Sequence, residues 1–323
     1  MVRALDPLKS SSSLLLASRR LERYTGEAIT KIVLNTLAKF EISTNQVIIF
    51  VTDGTSTMQC AGRILKHECG NLLHVTCKIQ ALHLVAETIR RSYPEVDALI
   101  ASTQIIFRKS PRRLREFRKQ CPGIPEPPQP ILTGWGKWLK ALFYYAKHFQ
   151  QIKSAVLQFD STEAAPIQKS QKKFQDISVE TDLKSIGDNY KGLLVAIEKL
   201  QNPSESLVDS LQIVDDVYSL LLAIGDARND RVIRKYENLL KKDSDFITLR
   251  QISNGTSTDS LNNLKDYCNY ACITSVDIEQ SFSAYKEIFS SRRTSLAETS
   301  VEAYLMLQFF LRSHADSISN DAS

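Results

Sequence analysis

An α/β fold interrupted by an all-helical block is what this sequence predicts, on three observations. Short apolar, β-branched runs alternate with helix-period segments as far as Lys119. From Thr133 to Leu249 apolar residues recur only at helical spacing, with no strand pattern. Two further amphipathic segments then close the chain. Strand and helix in alternation make an α/β layer, and a strand-free stretch inside it makes an insertion of another class.

Taken in order, residues 1–21 hold two short apolar runs separated by Asp6-Pro7 and the serines Ser10 to Ser13, which reads as a hairpin. A helix from Thr25 to Phe40 places Ile29, Ile32, Val33, Leu37 and Phe40 on one face. Val47 to Val51 is a buried strand that delivers Asp53, followed by Gly54, to a strand-to-helix turn. Met58, Ala61, Ile64 and Leu65 continue as a helix. Leu72 to Cys77 is a second strand, and Ile79 to Arg90 a helix. Two more helices are expected, from Val96 to Phe107 and from Pro111 to Lys119. The proline-rich run from Pro122 to Pro130 is stiff and extended and marks a boundary.

After that run the pattern changes. Trp135 to Leu157 reads as one long amphipathic helix, and Ile177 to Leu200, Leu207 to Ile224 and Val232 to Leu240 as three more. Asn254 to Asp259 is a polar loop. Thr274 and Asp277 have capping-box spacing, followed by a stripe of Ile278, Phe282, Tyr285 and Phe289. A last helix starts near Ser295 and carries Val301, Tyr304, Leu305, Leu307, Phe309 and Phe310. So apolar a helix implies burial or a partner. Beyond His314 the tail is polar and expected to be disordered.

Composition bounds the function. At 323 residues there is room for one large domain or two smaller ones, and 43% hydrophobic with 24% charged residues is a globular balance. A net charge of +5 permits an acidic partner. No run is long enough to span a membrane, and Leu14 to Ala17 is too short for a signal peptide. Six cysteines in a chain of this length suggest reduced thiols in the cytosol or nucleus. There is no Gly-rich phosphate loop and no nucleophile elbow. His74, Cys77 and His83 match no standard zinc spacing, and Cys77 reads as core.

Three features carry chemistry. Asp53 sits where α/β proteins place reactive groups, at the carboxyl end of a strand; the alternative is that it only caps the next helix. Arg108, Lys109, Arg112, Arg113, Arg115, Arg118 and Lys119 face a single acid, Glu116. That run is either a phosphate-contacting patch or a solvated helix face. Asp53 and Glu279 are carboxylates that could converge on a divalent metal, as phosphodiester chemistry requires, although any chain of this length offers many such pairs.

The stretches VTDGTSTMQCAGRILK, NLLHVTCKIQALHLVAETIR, PGIPEPPQPILTGWGKWLKALFYYAKHF and VDIEQSFSAYKEIFSSRRTSL together resemble hAT-superfamily transposases, particularly the relatives grouped near CGG-triplet-repeat-binding-protein-like sequences. The resemblance runs from about Val2 to Leu157 and resumes from about Cys272 to Arg312. It implies an RNase H-like core, incomplete at the N-terminus, over 1–131 and closed by a helix within 260–312. An all-α insertion over 132–259 and a C-terminal dimerisation region come with it, and 313–323 is left as the tail. Asp53 and Glu279 match two acids of the family's metal-binding triad, which would hold Mg2+ or Mn2+. The basic run and Trp135 would meet DNA. Phe282, Tyr285, Tyr304, Leu305 and Phe309 would form a homo-oligomer interface.

The departures weigh against activity. The family's first acid lies in a strand before the residues present here, and Asp6 is a poor substitute. Its Cys-x-x-His becomes Cys77-Lys78-Ile79-Gln80, its Thr-Arg-Trp becomes Thr133-Gly134-Trp135, and its Glu-Arg becomes Glu279-Gln280. The expectation is a nuclear, catalytically silent, transposon-derived protein that binds DNA weakly and without sequence preference, has no small-molecule substrate and no membrane, and takes part in transcription. The alternative is an active metal-dependent DNA transposase, if an upstream segment supplies the missing acid. A third reading is an interaction remnant that only dimerises.

Overall fold

A computed structural model describes residues 1–6, 13–128, 136–202, 205–256, 264–288 and 297–320. Helix α1 (Gly26–Lys39) starts where the Thr25 hydroxyl accepts the Ala28 N–H. Strand β1 (Ile49–Thr52), helix α2 (Ser56–Cys69) and strand β2 (Leu73–Thr76) form a βαβ unit with the strands parallel. Ile49 pairs with Leu73 and Val51 with Val75. Both strands are shorter than the apolar runs that announce them. Helix α1 packs on α2, and Leu65, Cys69 and Leu72 form a buried cluster with Val33, Leu34, Val47 and Phe50 against it. Gly62 of α2 allows a close approach: a Cβ there would fall on the His74 ring.

Helices then dominate: α3 (Lys78–Ser92), α4 (Pro94–Arg108), α5 (Pro111–Gln120), α6 (Lys137–Lys147), α7 (Phe149–Leu157) and α8 (Ala165–Gln175). They are followed by α9 (Ile177–Asn189), α10 (Lys191–Lys199), α11 (Leu207–Leu222), α12 (Asn229–Lys241) and α13 (Ser244–Ser253). The short α14 (Lys265–Cys268), then α15 (Val276–Ile288) and α16 (Glu298–Asn320), complete the chain. No helix among the described residues is long and apolar enough to cross a membrane.

The chain divides into two compact units. The first comprises Met1–Gln80, Leu200–Gln212 and Leu240–Ser323, and holds the parallel strands, α1, α2 and α13 to α16. The second comprises Ala81–Lys199 and Ile213–Leu239 and has helices but no strand among its described residues. Its core is built on aromatic rings: Phe107 meets Phe117 edge-on at 5.2 Å, and Phe149 lies 5.3 Å from Phe174. Helix α4 packs against α8, and α6 against α9.

Several expectations need correction. The proline run does not separate these units but lies inside the second. Pro128 O accepts from Gln104 Nε2 at 3.0 Å, and Pro125 O accepts from the Tyr144 hydroxyl at 2.5 Å. Prolines leave their carbonyls unpaired along an extended segment, so residues 122–128 lie as a strap over the helices that supply donors. The single helix expected over 135–157 breaks at His148 (φ −114°, ψ 23°), and that over 177–200 breaks at Tyr190 (φ −111°, ψ 13°). Apolar spacing continues through both breaks, so periodicity does not reveal them. Tyr190 turns fully inward and its hydroxyl donates to Asn229 Oδ1 at 3.0 Å.

Helices α8 and α13 lie outside the expected elements; Pro166 in the first turn of α8 is its start signal. The N-terminal hairpin consists, among the described residues, of one antiparallel bridge between Val2 and Leu14. The Thr274–Asp277 capping box does not form. The Ser275 carbonyl accepts the Ile278 and Glu279 N–H groups, and the Asp277 carboxylate accepts the Ser13 hydroxyl. Helix α16 continues through the segment read as a tail as far as Asn320, since extending an existing helix is far easier than starting one.

Candidate functional site

The carboxyl end of the β1/β2 pair gathers polar groups from three stretches of the first unit. Asp53 follows β1, but its carboxylate is engaged locally: Oδ1 accepts from the Thr55 hydroxyl at 2.6 Å and the Thr55 N–H at 3.1 Å. Thr55 in turn caps α2 by accepting the Met58 N–H at 3.4 Å. Gln80, which stands where the resemblance has a histidine, accepts the Gly54 N–H at 3.0 Å. The Thr52 hydroxyl donates to the Asp53 carbonyl at 2.8 Å and lies 2.7 Å from His74 Nε2, so the imidazole nitrogen is the donor in that contact. Burial lowers the His74 pKa and keeps the ring neutral, with Asp243 and Asp245 opposing and Lys66 assisting.

The segment leading into α15 is bonded to this same end. Lys78 N–H donates to the Ile273 carbonyl at 2.9 Å, and Ser275 N–H to Cys77 Sγ at 3.3 Å. Glu279 lies in the first turn of α15 and is half-buried. The stretches that carry Asp53 and Glu279 therefore both reach the end of the strands. No three His, Cys, Asp or Glu side chains among the described residues converge to hold a metal ion. With Asp53 Oδ1 committed to Thr55, this donor set does not fit a two-metal centre, and no chemical step through Mg2+ or Mn2+ follows from it.

Sequence reasoning missed a buried cluster of charged groups at the free edge of β2. In the parallel pair the N–H groups of Leu73 and Cys77 point to β1, donating to Ile48 O and Thr52 O at 2.8 Å each. Those of His74 and Thr76 point to the opposite edge. Asp245 Oδ2 accepts the His74 N–H at 2.7 Å, and Asp243 Oδ2 accepts the Thr76 N–H at 2.9 Å. Two carboxylates thus take the N–H groups of this edge of β2. Each has its own lysine: Lys66 Nζ is 2.6 Å from Asp245 Oδ1 and Lys78 Nζ 2.6 Å from Asp243 Oδ2. The Lys78–Asp243 side chains are only 2% and 3% exposed, and the ammonium lies 3.7 Å from the centre of the Phe246 ring. Burial lowers the Lys78 pKa and Asp243 opposes that shift.

The basic run lies at the junction of α4 and α5 in the second unit. Phe117, fully buried, anchors α5, and the Ser110 hydroxyl caps it by accepting the Arg113 N–H. Arg113 pairs with Glu163 at 3.0 Å, Arg118 with Glu126, and Lys119 with Glu116 at 3.6 Å. Arg108, Lys109, Arg112 and Arg115 are exposed and have no ion-pair partner among the described residues. Trp135 lies outside the described residues.

Of the residues expected at a dimer interface, Leu305 and Phe309 are buried within the chain itself. They pack with Leu15, Ala284, Ile288 and Val301, with Tyr285 partly buried against them. Phe282 and Tyr304 are more than half exposed, and Leu307, Phe310 and Leu311 beside Tyr304 also face outward. The inward stripe serves the chain's own core, so only the outward one is available to a partner.

Comparison with known proteins gives no relative: no protein-family model and no curated protein matches the chain.

Proposed function

We propose that this chain is a transposon-derived, hAT transposase-like protein that is catalytically silent, binds DNA through the α4–α5 junction and dimerises, in the nucleus, with a role in transcription. The observation that carries DNA binding is the set of four exposed cations, Arg108, Lys109, Arg112 and Arg115, without acidic partners among the described residues. Unpaired cations on a rigid helical junction suit the phosphates of a duplex, and nothing in the run reads bases. The loss of catalysis is supported by Gln80, Gly134 and Gln280 standing where the resemblance has other residues, and by the engagement of Asp53 with Thr55. The outward apolar stripe of α16 supports dimerisation.

Titrating duplex DNA over a salt series tests the reading. Four phosphate contacts give a slope of log K on log salt of about −3.6. Arg112→Ala with Arg115→Ala should reduce the slope by about 2. Arg113→Ala, which removes a side chain already paired with Glu163, should change it less. Absence of binding at low salt, or a slope the double variant leaves untouched, overturns the proposal.

A further inference from the structure

Within the second unit, α3 and α12 form the walls of a cleft of about 400 Å³. From α3 come Leu84, Glu87, Thr88 and Arg91. From α12 come Arg231, Arg234, Lys235 and Asn238. Arg91, Arg231 and Arg234 are exposed and Lys235 is half-buried, and none of the four has an ion-pair partner among the described residues. Glu87 is the one carboxylate of the lining, and it lies 3.5 Å from Arg90, which is held more closely by Asp97 at 2.8 Å.

Four cations drawn together against one acid repel each other, and a concave low-dielectric surface concentrates their field. Such a cluster is relieved by an anion of matching size. Arginine forks fit phosphate oxygens bidentately, and Asn238 adds a neutral donor. Arg231, Arg234 and Lys235 share one face of α12 by their spacing and cover about 6 Å of its axis, enough to engage more than one phosphate group of an oligophosphate. The volume is that of a small-molecule site, and too small to admit a duplex. Concavity, with cations supplied from both walls, distinguishes this cleft from the α4–α5 junction.

We infer that the α3/α12 cleft binds a compact oligophosphate, such as the triphosphate group of a nucleotide. The test is calorimetric titration of the full chain at low salt with inorganic tripolyphosphate, with sulfate and citrate at matched ionic strength as controls. The expected result is saturable binding that sulfate and citrate do not reproduce. Arg231→Gln with Arg234→Gln should weaken it at least about tenfold, and so should Arg91→Gln on the opposite wall. Arg112→Ala with Arg115→Ala should leave it unchanged, which separates it from the DNA-binding proposal. Displacement of tripolyphosphate by a nucleoside triphosphate supports the inference and identifies the source of the phosphates. No saturable heat, equal binding of sulfate, or equal binding by variants whose circular dichroism is unaltered overturns it. So does an oligonucleotide that binds through Arg231 and Arg234 when tripolyphosphate does not, which would make the cleft a nucleic-acid groove.

Discussion

Truncating Asp243 strands a buried ammonium. In Asp243→Ala, Lys78 loses the carboxylate 2.6 Å away in a site where its own side chain is 2% exposed. The same change removes the acceptor of the Thr76 N–H and the N-cap of α13, where Asp243 Oδ1 accepts the Phe246 N–H at 3.1 Å. Breaking a buried pair from one side costs about 3–5 kcal/mol, and losing a cap about 1 kcal/mol. Lys78 can shed its proton, since burial already lowers its pKa, so these losses overlap and about 4 kcal/mol is expected. Lys78→Met is milder. It keeps a similar chain length, and Asp243 retains two backbone donors, so about 1–2 kcal/mol is expected. In an Asp243→Asn background, Lys78→Met should stabilise, because it removes an unpaired charge. Urea unfolding followed by far-UV circular dichroism measures the differences, and amide exchange at Thr76 reports the strand edge directly. If Lys78→Met costs as much as Asp243→Ala, or Asp243→Ala costs less than about 1 kcal/mol, the clamp is not what holds the edge.

Two further outcomes test other parts of the molecule. Hydrogen bonds from the Arg228 guanidinium hold Asp226 down at a pKa of about 2, with the Tyr93 hydroxyl donating at 3.0 Å. A folded-state value below the usual 3.8 gives stability that is present above that value and lost as pH falls through about 2. Asp226→Asn should remove that acid limb from the urea midpoint; an unchanged acid limb in the variant counts against it. On α16, Tyr304→Glu with Leu307→Glu should convert a dimer to a monomer in light scattering without altering helix content, because both side chains are more than half exposed. Leu305→Glu should instead destabilise the Leu15–Ile288–Val301 cluster. A strictly monomeric parent chain at high concentration removes the dimer from the proposal.

The βαβ unit was legible because its signals are local: β-branched runs end at Asp53 and Cys77, and helical spacing follows each. The basic run was legible as composition, but not the acids that answer it. Glu163 lies 50 residues from Arg113, and only folding shows which cations remain unpaired. The breaks at His148 and Tyr190 left no trace, since a change of helix direction can preserve apolar spacing. The clamp was least visible of all. Asp243 and Asp245 look like the acidic start of a short helix, while their partners on β2 and α3 lie 165 to 171 residues earlier. The DSDF stretch carries the cap of α13 in its local pattern, but not the strand edge it closes.

The turn after β1 engages its own strand-end carboxylate. Asp53 Oδ1 holds Thr55, and Thr55 holds the first turn of α2. Gln80 secures the same turn from the neighbouring strand end by taking the Gly54 N–H. An imidazole at position 80 would reach that N–H with less freedom and could carry charge, whereas the amide oxygen is always an acceptor. The two contacts make the turn self-sufficient, since its N–H groups at Gly54 and Thr55 are both satisfied by neighbouring side chains. Asp53 acts as a cap one step removed, and Thr52 and His74 fix the carbonyl on its other side.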